Sequence, residues 1–281
     1  MQDWDTVAIV GVGLIGGSIG LALQQRGLAR RVVGIGRRAT SLKKARQFGT
    51  VTHTTQRLDR GVSDADLVIV CTPVGEIVDQ ICQAAQSCPT DCLLTDAGST
   101  KGGLVQELDR RLGSGPAFVG SHPMAGSEKT GPENARADLF AGQVAVITPT
   151  AKTDPRAADR VEQFWTSLGA RVIRMAPQLH DEAVAMTSHA THVVASALAA
   201  ATDEASLALA ASGWRDTTRV AAGDPQLWQQ ILLANRQQVV KSLKTIERTL
   251  AAFRSALTRE DAAGLVELLD RGKKTRDSLG S

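Results

Sequence analysis

Four stretches of this chain carry residue types and spacings that could do chemistry. Gly11-Val12-Gly13-Leu14-Ile15-Gly16 follows the apolar run Thr6-Val7-Ala8-Ile9-Val10 and leads into Ser18-Ile19-Gly20-Leu21. This is the order strand, glycine turn, helix start. The first glycine permits a tight turn and the second a close approach to a pyrophosphate. The third permits close packing of helix on strand, with the helix N-terminus facing the anion. The second stretch, Asp96-Ala97-Gly98-Ser99-Thr100-Lys101-Gly102, lies where a strand ends and a helix begins, so Ser99 is either a helix cap or a hydrogen-bonding group of a site. The third, Gly120-Ser121-His122-Pro123-Met124-Ala125-Gly126-Ser127-Glu128-Lys129-Thr130-Gly131, puts a histidine among proline and glycines on an expected loop. His122 is a poor core residue there and reads as functional. The fourth pairs Thr187-Ser188-His189-Ala190-Thr191-His192 with Gly213-Trp214-Arg215-Asp216-Thr217-Thr218-Arg219. His189 and His192 share a helical face, but no clear third ligand accompanies them, and no metal is expected.

The elements that must position these residues fall into two halves. Through residue 175, apolar and β-branched runs (Thr6 to Val10, Val32 to Ile35, Leu67 to Cys71, Leu93 to Thr95, Phe118 to Val119, Val144 to Thr148, Val172 to Ile173) alternate with helical patterns at Leu14 to Arg26, Ser41 to Phe48, Gly75 to Ser87, Lys101 to Leu112 and Pro155 to Leu168. That alternation predicts an α/β, Rossmann-like doubly wound sheet over residues 1–175, with ligands held after the strand ends. Beyond Ala176-Pro177 only helical patterns remain: Gln178 to about Ser212, Pro225 to about Ser255 and Arg259 to about Leu279, with breaks at Ser212-Gly213 and Gly223-Asp224-Pro225. Residues 176–281 are therefore expected to form an all-α substrate and dimerisation domain. Three helices make a thin core, and a homodimer would complete it.

Composition removes several alternatives. With 281 residues, 22% charged side chains and a formal net charge of +3, the chain offers no basis for nucleic-acid or membrane binding. No apolar run spans a bilayer and the N-terminus lacks signal-peptide character, so a cytoplasmic location is expected. Cys71, Cys82, Cys88 and Cys92 include no C-x-x-C pair and read as reduced, mostly buried thiols rather than zinc ligands. Tyrosine is absent altogether, which excludes the tyrosine and lysine acid–base pair of short-chain dehydrogenases.

The residue about 20 positions past the glycine turn is acidic in sites that bind the ribose hydroxyls of NAD. Here that position is Gly36, followed by Arg37 and Arg38. Without the acid, and with two fork-shaped cationic donors, NADP+ is favoured and NAD+ stays possible. Arg37 and Arg38 could equally be solvated loop residues or stack on adenine.

Taken together, the glycine turn, Cys71-Thr72-Pro73-Val74, Asp96 to Lys101, Ser121-His122-Pro123-Met124-Ala125-Gly126, Ser188-His189 with His192, and Arg215-Asp216-Thr217-Thr218-Arg219 resemble the prephenate/arogenate dehydrogenase family. The resemblance covers nearly the whole chain. It implies a Rossmann domain followed by a helical dimerisation domain, and hydride transfer to NAD(P)+ coupled to loss of the ring carboxylate as CO2, in tyrosine biosynthesis. It also implies the site residues. His122 takes the proton of the ring hydroxyl. Ser99 hydrogen-bonds that hydroxyl or the imidazole. Arg219 clamps the ring carboxylate, His192 meets the substrate side chain, and Glu128 and Asp216 belong to the polar network. Gly11, Gly13, Leu14, Ile15, Gly16, Arg37, Arg38, Thr72 and Pro73 form the cofactor site, while Lys101 and His189 are either functional or structural. Glu128-Lys129 tilts the reading toward prephenate over arogenate. Two further readings share the glycine turn: another two-domain NADP-dependent 3-hydroxyacid or imine reductase, and a non-catalytic dinucleotide-sensing protein.

Overall fold

The computed structural model describes residues 4–113, 115–126 and 129–280. Its eight strands are β1 (Trp4–Val10), β2 (Ala29–Ile35), β3 (His53–Thr55), β4 (Leu67–Val70), β5 (Leu93–Asp96), β6 (Ala117–Pro123), β7 (Val144–Thr148) and β8 (Arg171–Arg174). They form one sheet in the order β3-β2-β1-β4-β5-β6-β7-β8. Every pair is parallel except β6 with β7.

Continuous apolar runs make the central strands because both sheet faces are covered. Successive side chains of β1 and β4 alternate between two cores. Val7, Ile9, Leu67 and Ile69 pack on the face of α1 (Leu14–Gln25), α2 (Ala39–Gln47) and α6 (Pro155–Ser167). Ala8, Val10, Val68 and Val70 pack on the face of α3 (Leu58–Val62), α4 (Val74–Ala85) and α5 (Gly102–Arg111). β3 and α3 were not expected from the sequence. β3 is a three-residue edge strand with no apolar run, and α3 is little more than one turn.

β6 corrects the expectation of a loop around His122. Its first residues pair in parallel with β5, Ala117 to Val119 against Leu93 to Thr95, and its last four pair antiparallel with β7, Gly120 to Pro123 against Thr148 to Ala145. The strand therefore continues beyond its pairing with β5 and carries His122 on a paired backbone opposite Val146. Pro123 is tolerated because it ends the strand.

The helical half is more broken than its pattern implies. α7 (Pro177–Val184), a single π-helical turn over Ala185–His189 and α8 (Ala190–Ala201) run on from one another. The expected helix to Ser212 instead stops at Thr202, whose backbone is extended, and α9 (Glu204–Leu207) starts afresh with Asp203 accepting from Ser206 N. α10 (Ser212–Thr218) and a 3₁₀ turn over Arg219–Ala222 follow. α11 (Pro225–Ala234) is capped by Asp224, which accepts from Gln226 N and Leu227 N. Asn235 interrupts the expected helix from Pro225 to Ser255, and α12 (Arg236–Thr258) and α13 (Ala262–Asp277) complete the chain. Contacts divide the molecule into two compact units, Met1–Asn235 and Arg236–Ser281. In the second, α12 and α13 pack on each other and leave Leu250, Leu257, Val266 and Leu269 exposed. No helix among the described residues is long and apolar enough to cross a membrane. Of the four cysteines, all free, only Cys92 is buried; the other three are partly exposed, contrary to the expectation of mostly buried thiols.

Candidate active site

The sheet order reverses between β1 and β4, and the crevice outside the carboxyl ends of those strands is where doubly wound sheets take ligands. Gly11 leaves β1 with φ +94, and a Cβ there would lie 2.9 Å from the Cys71 carbonyl. A Cβ on Gly16 would fall 2.0 Å from Gly11 O, whereas one on Gly13 would meet nothing within 4 Å. Leu14 and Ile15 open α1, whose N-terminus has no side-chain cap and no acid in its first turn. Open space over Gly13 and uncapped N–H groups are what a diphosphate requires. Thr72 and Pro73 flank this crevice from the end of β4; Thr72 Oγ1 donates to Gln80 Oε1 at 2.6 Å, and Pro73 occupies the N-cap position of α4. Arg37 and Arg38 are exposed beyond β2. Arg37 Nη2 pairs with Glu76 Oε1 at 3.0 Å, so a carboxylate absent from the end of β2 is supplied by the first turn of α4.

A second cluster lies beyond β5 and β6. Lys101 and Asp96 are completely buried and form an ion pair. Lys101 Nζ also donates to Ser121 O at 2.9 Å, and Asp96 accepts from Gly98 N at 2.8 Å and Ser121 N at 3.1 Å. Burial lowers the Lys101 pKa while Asp96 works to raise it. Lys101, not Ser99, holds the N-cap position of α5, which removes the helix-cap alternative for Ser99. Ser99 is half-buried on the short connection between β5 and α5.

His122 is half-buried, and its Nδ1 lies 2.9 Å from Nε2 of the fully buried His180. His180 Nδ1 in turn lies 2.8 Å from Asp181 Oδ1. The Asp181 carboxylate accepts from Lys101 N and Gly102 N, both at 2.8 Å, at the start of α5. Burial, reinforced by the neighbouring His180, Lys101 and His189, beside which a further positive charge is disfavoured, pushes the His122 pKa well below the ordinary 6.5, which keeps the imidazole neutral. Asn235 Nδ2 donates to Asp181 O at 2.7 Å and lies 3.2 Å from His189 Nδ1. His180, Asp181 and Asn235 were not singled out from the sequence. Pro177 at a helix start three residues before a His-Asp pair was the available signal, and nothing local ties it to His122.

His189 is buried at the end of the π turn, a distortion common at functional sites, and burial pushes its pKa down to about 4. His192 stacks on Trp228 with ring centroids 3.6 Å apart, and its Nδ1 is buried with no hydrogen-bond partner among the described residues. No group of three or more His, Cys, Asp or Glu suited to a metal occurs among the described residues. Asp216, on α10, and Arg219, on the following turn, are exposed. The short helices after Thr202 carry Arg219 on the surface of this unit. Glu128 lies outside the described residues.

Residues 19–174 match the prephenate dehydrogenase nucleotide-binding domain, and residues 176–271 match the prephenate dehydrogenase dimerization domain. The prephenate dehydrogenase of Bacillus subtilis is 33% identical over 99% of this chain and 77% of its own length. The cyclohexadienyl dehydrogenase of Zymomonas mobilis is 31% identical over 99% of this chain and 97% of its own length. Among solved structures, the prephenate dehydrogenase of A. aeolicus in complex with hydroxyphenyl propionate and NAD+ superposes with a TM-score of 0.90 at 33% identity, covering 99% of this chain and 98% of that one. Sheet order, glycine turn and both domain matches agree: the chain belongs to the prephenate dehydrogenase family, the NAD(P)-dependent oxidative decarboxylases of tyrosine biosynthesis.

Proposed function

We propose that the chain converts prephenate, and arogenate beside it, to the corresponding 4-hydroxyphenyl product, with His122 as the base. The observation that carries this reading is the state of His122. Its Nδ1 is already engaged, burial keeps it neutral, and β6 holds it beyond the end of the parallel strands. Neutral imidazole with one nitrogen still able to accept suits removal of a hydroxyl proton.

The bound nicotinamide supplies the hydride acceptor. As C4 of the substrate ring gives up its hydride, His122 Nε2 takes the proton of the hydroxyl on that carbon, a carbonyl begins to form there, and the ring carboxylate departs as CO2 to leave an aromatic phenolate, whose oxygen takes the proton back from His122 to give the phenol. Ser99, on the β5–α5 connection, fixes the hydroxyl for that transfer. Arg219 takes the ring carboxylate through its planar fork, with Asp216 and Glu128 in the surrounding polar network. His192 meets the substrate side chain; its buried, unpartnered Nδ1 supports a hydrogen bond to a ligand. Lys101 is structural, tying Asp96 to β6.

The cofactor lies on Gly11, Gly13, Leu14, Ile15 and Gly16, between Thr72-Pro73 and Arg37-Arg38. NADP+ is favoured through Arg38, and NAD+ is used as well. Residues 1–175 carry the cofactor and residues 176–281 the substrate and the homodimer contacts, a division supported by the edges of the two domain matches and by the exposed leucines of α12 and α13.

Prephenate and arogenate assayed against NAD+ and NADP+ test the substrate and cofactor, with turnover of prephenate expected and NADP+ giving the lower KM. In the same assay His122→Asn is expected to lower kcat by about 10²–10⁴ with folding retained, the worth of a general base. Near-normal turnover of that variant removes His122 from the chemistry, and silence of the wild-type protein in all four combinations removes the activity.

A further inference from the structure

The contacts behind His122 run in a row, His122 Nδ1 to His180 Nε2 and His180 Nδ1 to Asp181 Oδ1, and the pattern of donors along it is decided by the proton count of His180. A carboxylate can only accept, so with Asp181 ionised the 2.8 Å contact to Oδ1 requires His180 to carry its proton on Nδ1. With a single proton on His180, Nε2 is an acceptor, and the 2.9 Å contact then has His122 donating from Nδ1. The lone pair of His122 is left on Nε2, the form a base needs.

The far end of this chain is firmly anchored. Both Asp181 oxygens accept backbone N–H groups at the N-terminus of α5, where the helix dipole favours a negative charge. Burial works to raise the Asp181 pKa, but the bonds from His180, Lys101 N and Gly102 N outweigh it and hold the carboxyl below its usual range. Asn235, the C-cap of α11, fixes the Asp181 backbone. The other charged or titratable groups acting on this row are Lys101, which is paired with Asp96, and His189, which burial keeps neutral.

We propose that His180 and Asp181 are positioning residues for the reaction: they hold His122 in the Nδ1–H tautomer, and the Asp181 carboxylate stabilises the imidazolium formed when Nε2 takes the substrate proton. The proton rests on His122 until it returns to the phenolate oxygen of the product. No proton has to reach Asp181, because a lengthening row of donors pointing toward the carboxylate already disperses the charge. The inference rests on His122 being the base.

The test combines kinetics and nitrogen NMR on the full-length protein. Asp181→Asn is expected to lower kcat by about 10²-fold, the low end for general-base catalysis, with substrate and cofactor KM changed less than threefold. His180→Gln, whose Oε1 can accept from His122 Nδ1, is expected to retain at least ten times the kcat of His180→Leu, which has no acceptor. The ¹⁵N spectrum of the wild-type ring is expected to show the Nδ1–H tautomer for His122 at neutral pH, and this readout stands even where a variant folds poorly. A wild-type Nε2–H tautomer, an Asp181→Asn kcat within threefold of wild type, or equal activity of the Gln and Leu variants overturns the proposal. If His122→Asn is inactive while these variants turn over normally, the base reading stands and the positioning role falls. If His122→Asn is active, the base reading itself has failed.

Discussion

The glycine turn and the histidine row sit outside the ends of strands of one sheet, β1 for the turn and β5 and β6 for the row, yet they are built from opposite materials. The turn after β1 is backbone: Gly11 against Cys71, Gly16 against the Gly11 carbonyl, and empty space over Gly13. The row beyond β5 and β6 is buried side chains drawn from positions 96, 101, 122, 180, 181, 189 and 235. A site made of backbone donors leaves room for its ligand and stores little interaction energy until the ligand arrives. A site made of buried ionisable groups needs every partner in place before any ligand binds, because an unpartnered charge in that environment is costly.

The largest expected effect breaks the second region at its anchor. Lys101→Met removes one partner of the buried ion pair and leaves Asp96 with only its two backbone donors. Unfolding by urea should show a loss of about 3–5 kcal/mol, as for other broken buried pairs. Asp96→Asn in the same chain should restore part of it, since the amide oxygen still accepts from one backbone N–H without a charge to desolvate. A loss below about 1 kcal/mol for Lys101→Met, a surface-like value, would mean that the pair is not what holds the region together.

Why one region could be read from the sequence and the other could not follows from the same contrast. The turn occupies six consecutive residues between an apolar strand and a helix, so type, spacing and context were all local. His122 was visible as an unusual histidine, but its strand was hidden by Pro123 and the surrounding glycines, because what pairs it is β7, more than twenty residues later. His180 and Asp181 stand 58 or more residues from His122 and look like ordinary residues near the start of a helix; only the sheet and α7 together bring them to it. The segment before Arg219 shows the reverse error. A helical pattern running to about Ser212 read as one helix, whereas Thr202 is extended and Asp203 restarts the chain as a short capped helix.

A smaller effect separates the regions by pH. His189 is buried with its pKa pushed down to about 4, against an ordinary 6.5, and His122 is depressed in the same direction. As pH falls below 6.5 the unfolded chain takes up these protons before the folded one does, so ∂ΔG/∂pH is positive. The stability is complete above 6.5 and is lost as pH falls toward 4. Each such histidine contributes a slope of about 1.4 kcal/mol per pH unit in that window. His189→Asn should flatten the slope by up to that amount in urea midpoints taken at pH 7, 5.5 and 4.5. An unchanged slope would show that His189 is reached by solvent and that the row is less closed than its burial implies.

The smallest effect belongs to the cofactor end, where charge is exposed. Arg37 is held by Glu76, and Glu76 Oε2 accepts from Gln80 Nε2 at 3.0 Å, so one of the two arginines already faces a carboxylate. Arg38, at the N-cap position of α2, makes no ion pair among the described residues and is the guanidinium that the proposed NADP+ preference assigns to the 2′-phosphate. Arg38→Ala should raise the KM for NADP+ about tenfold, near 1.4 kcal/mol for an exposed charged hydrogen bond, and leave that for NAD+ within about twofold. Glu76→Gln should move NADP+ the other way by releasing Arg37 toward the same phosphate. Neither variant should shift the urea midpoint measurably, since exposed pairs of this kind are worth about 0–1 kcal/mol. Equal effects of Arg38→Ala on both cofactors would mean that the arginines meet adenine or solvent, and that this end recognises only the diphosphate its backbone was built to hold.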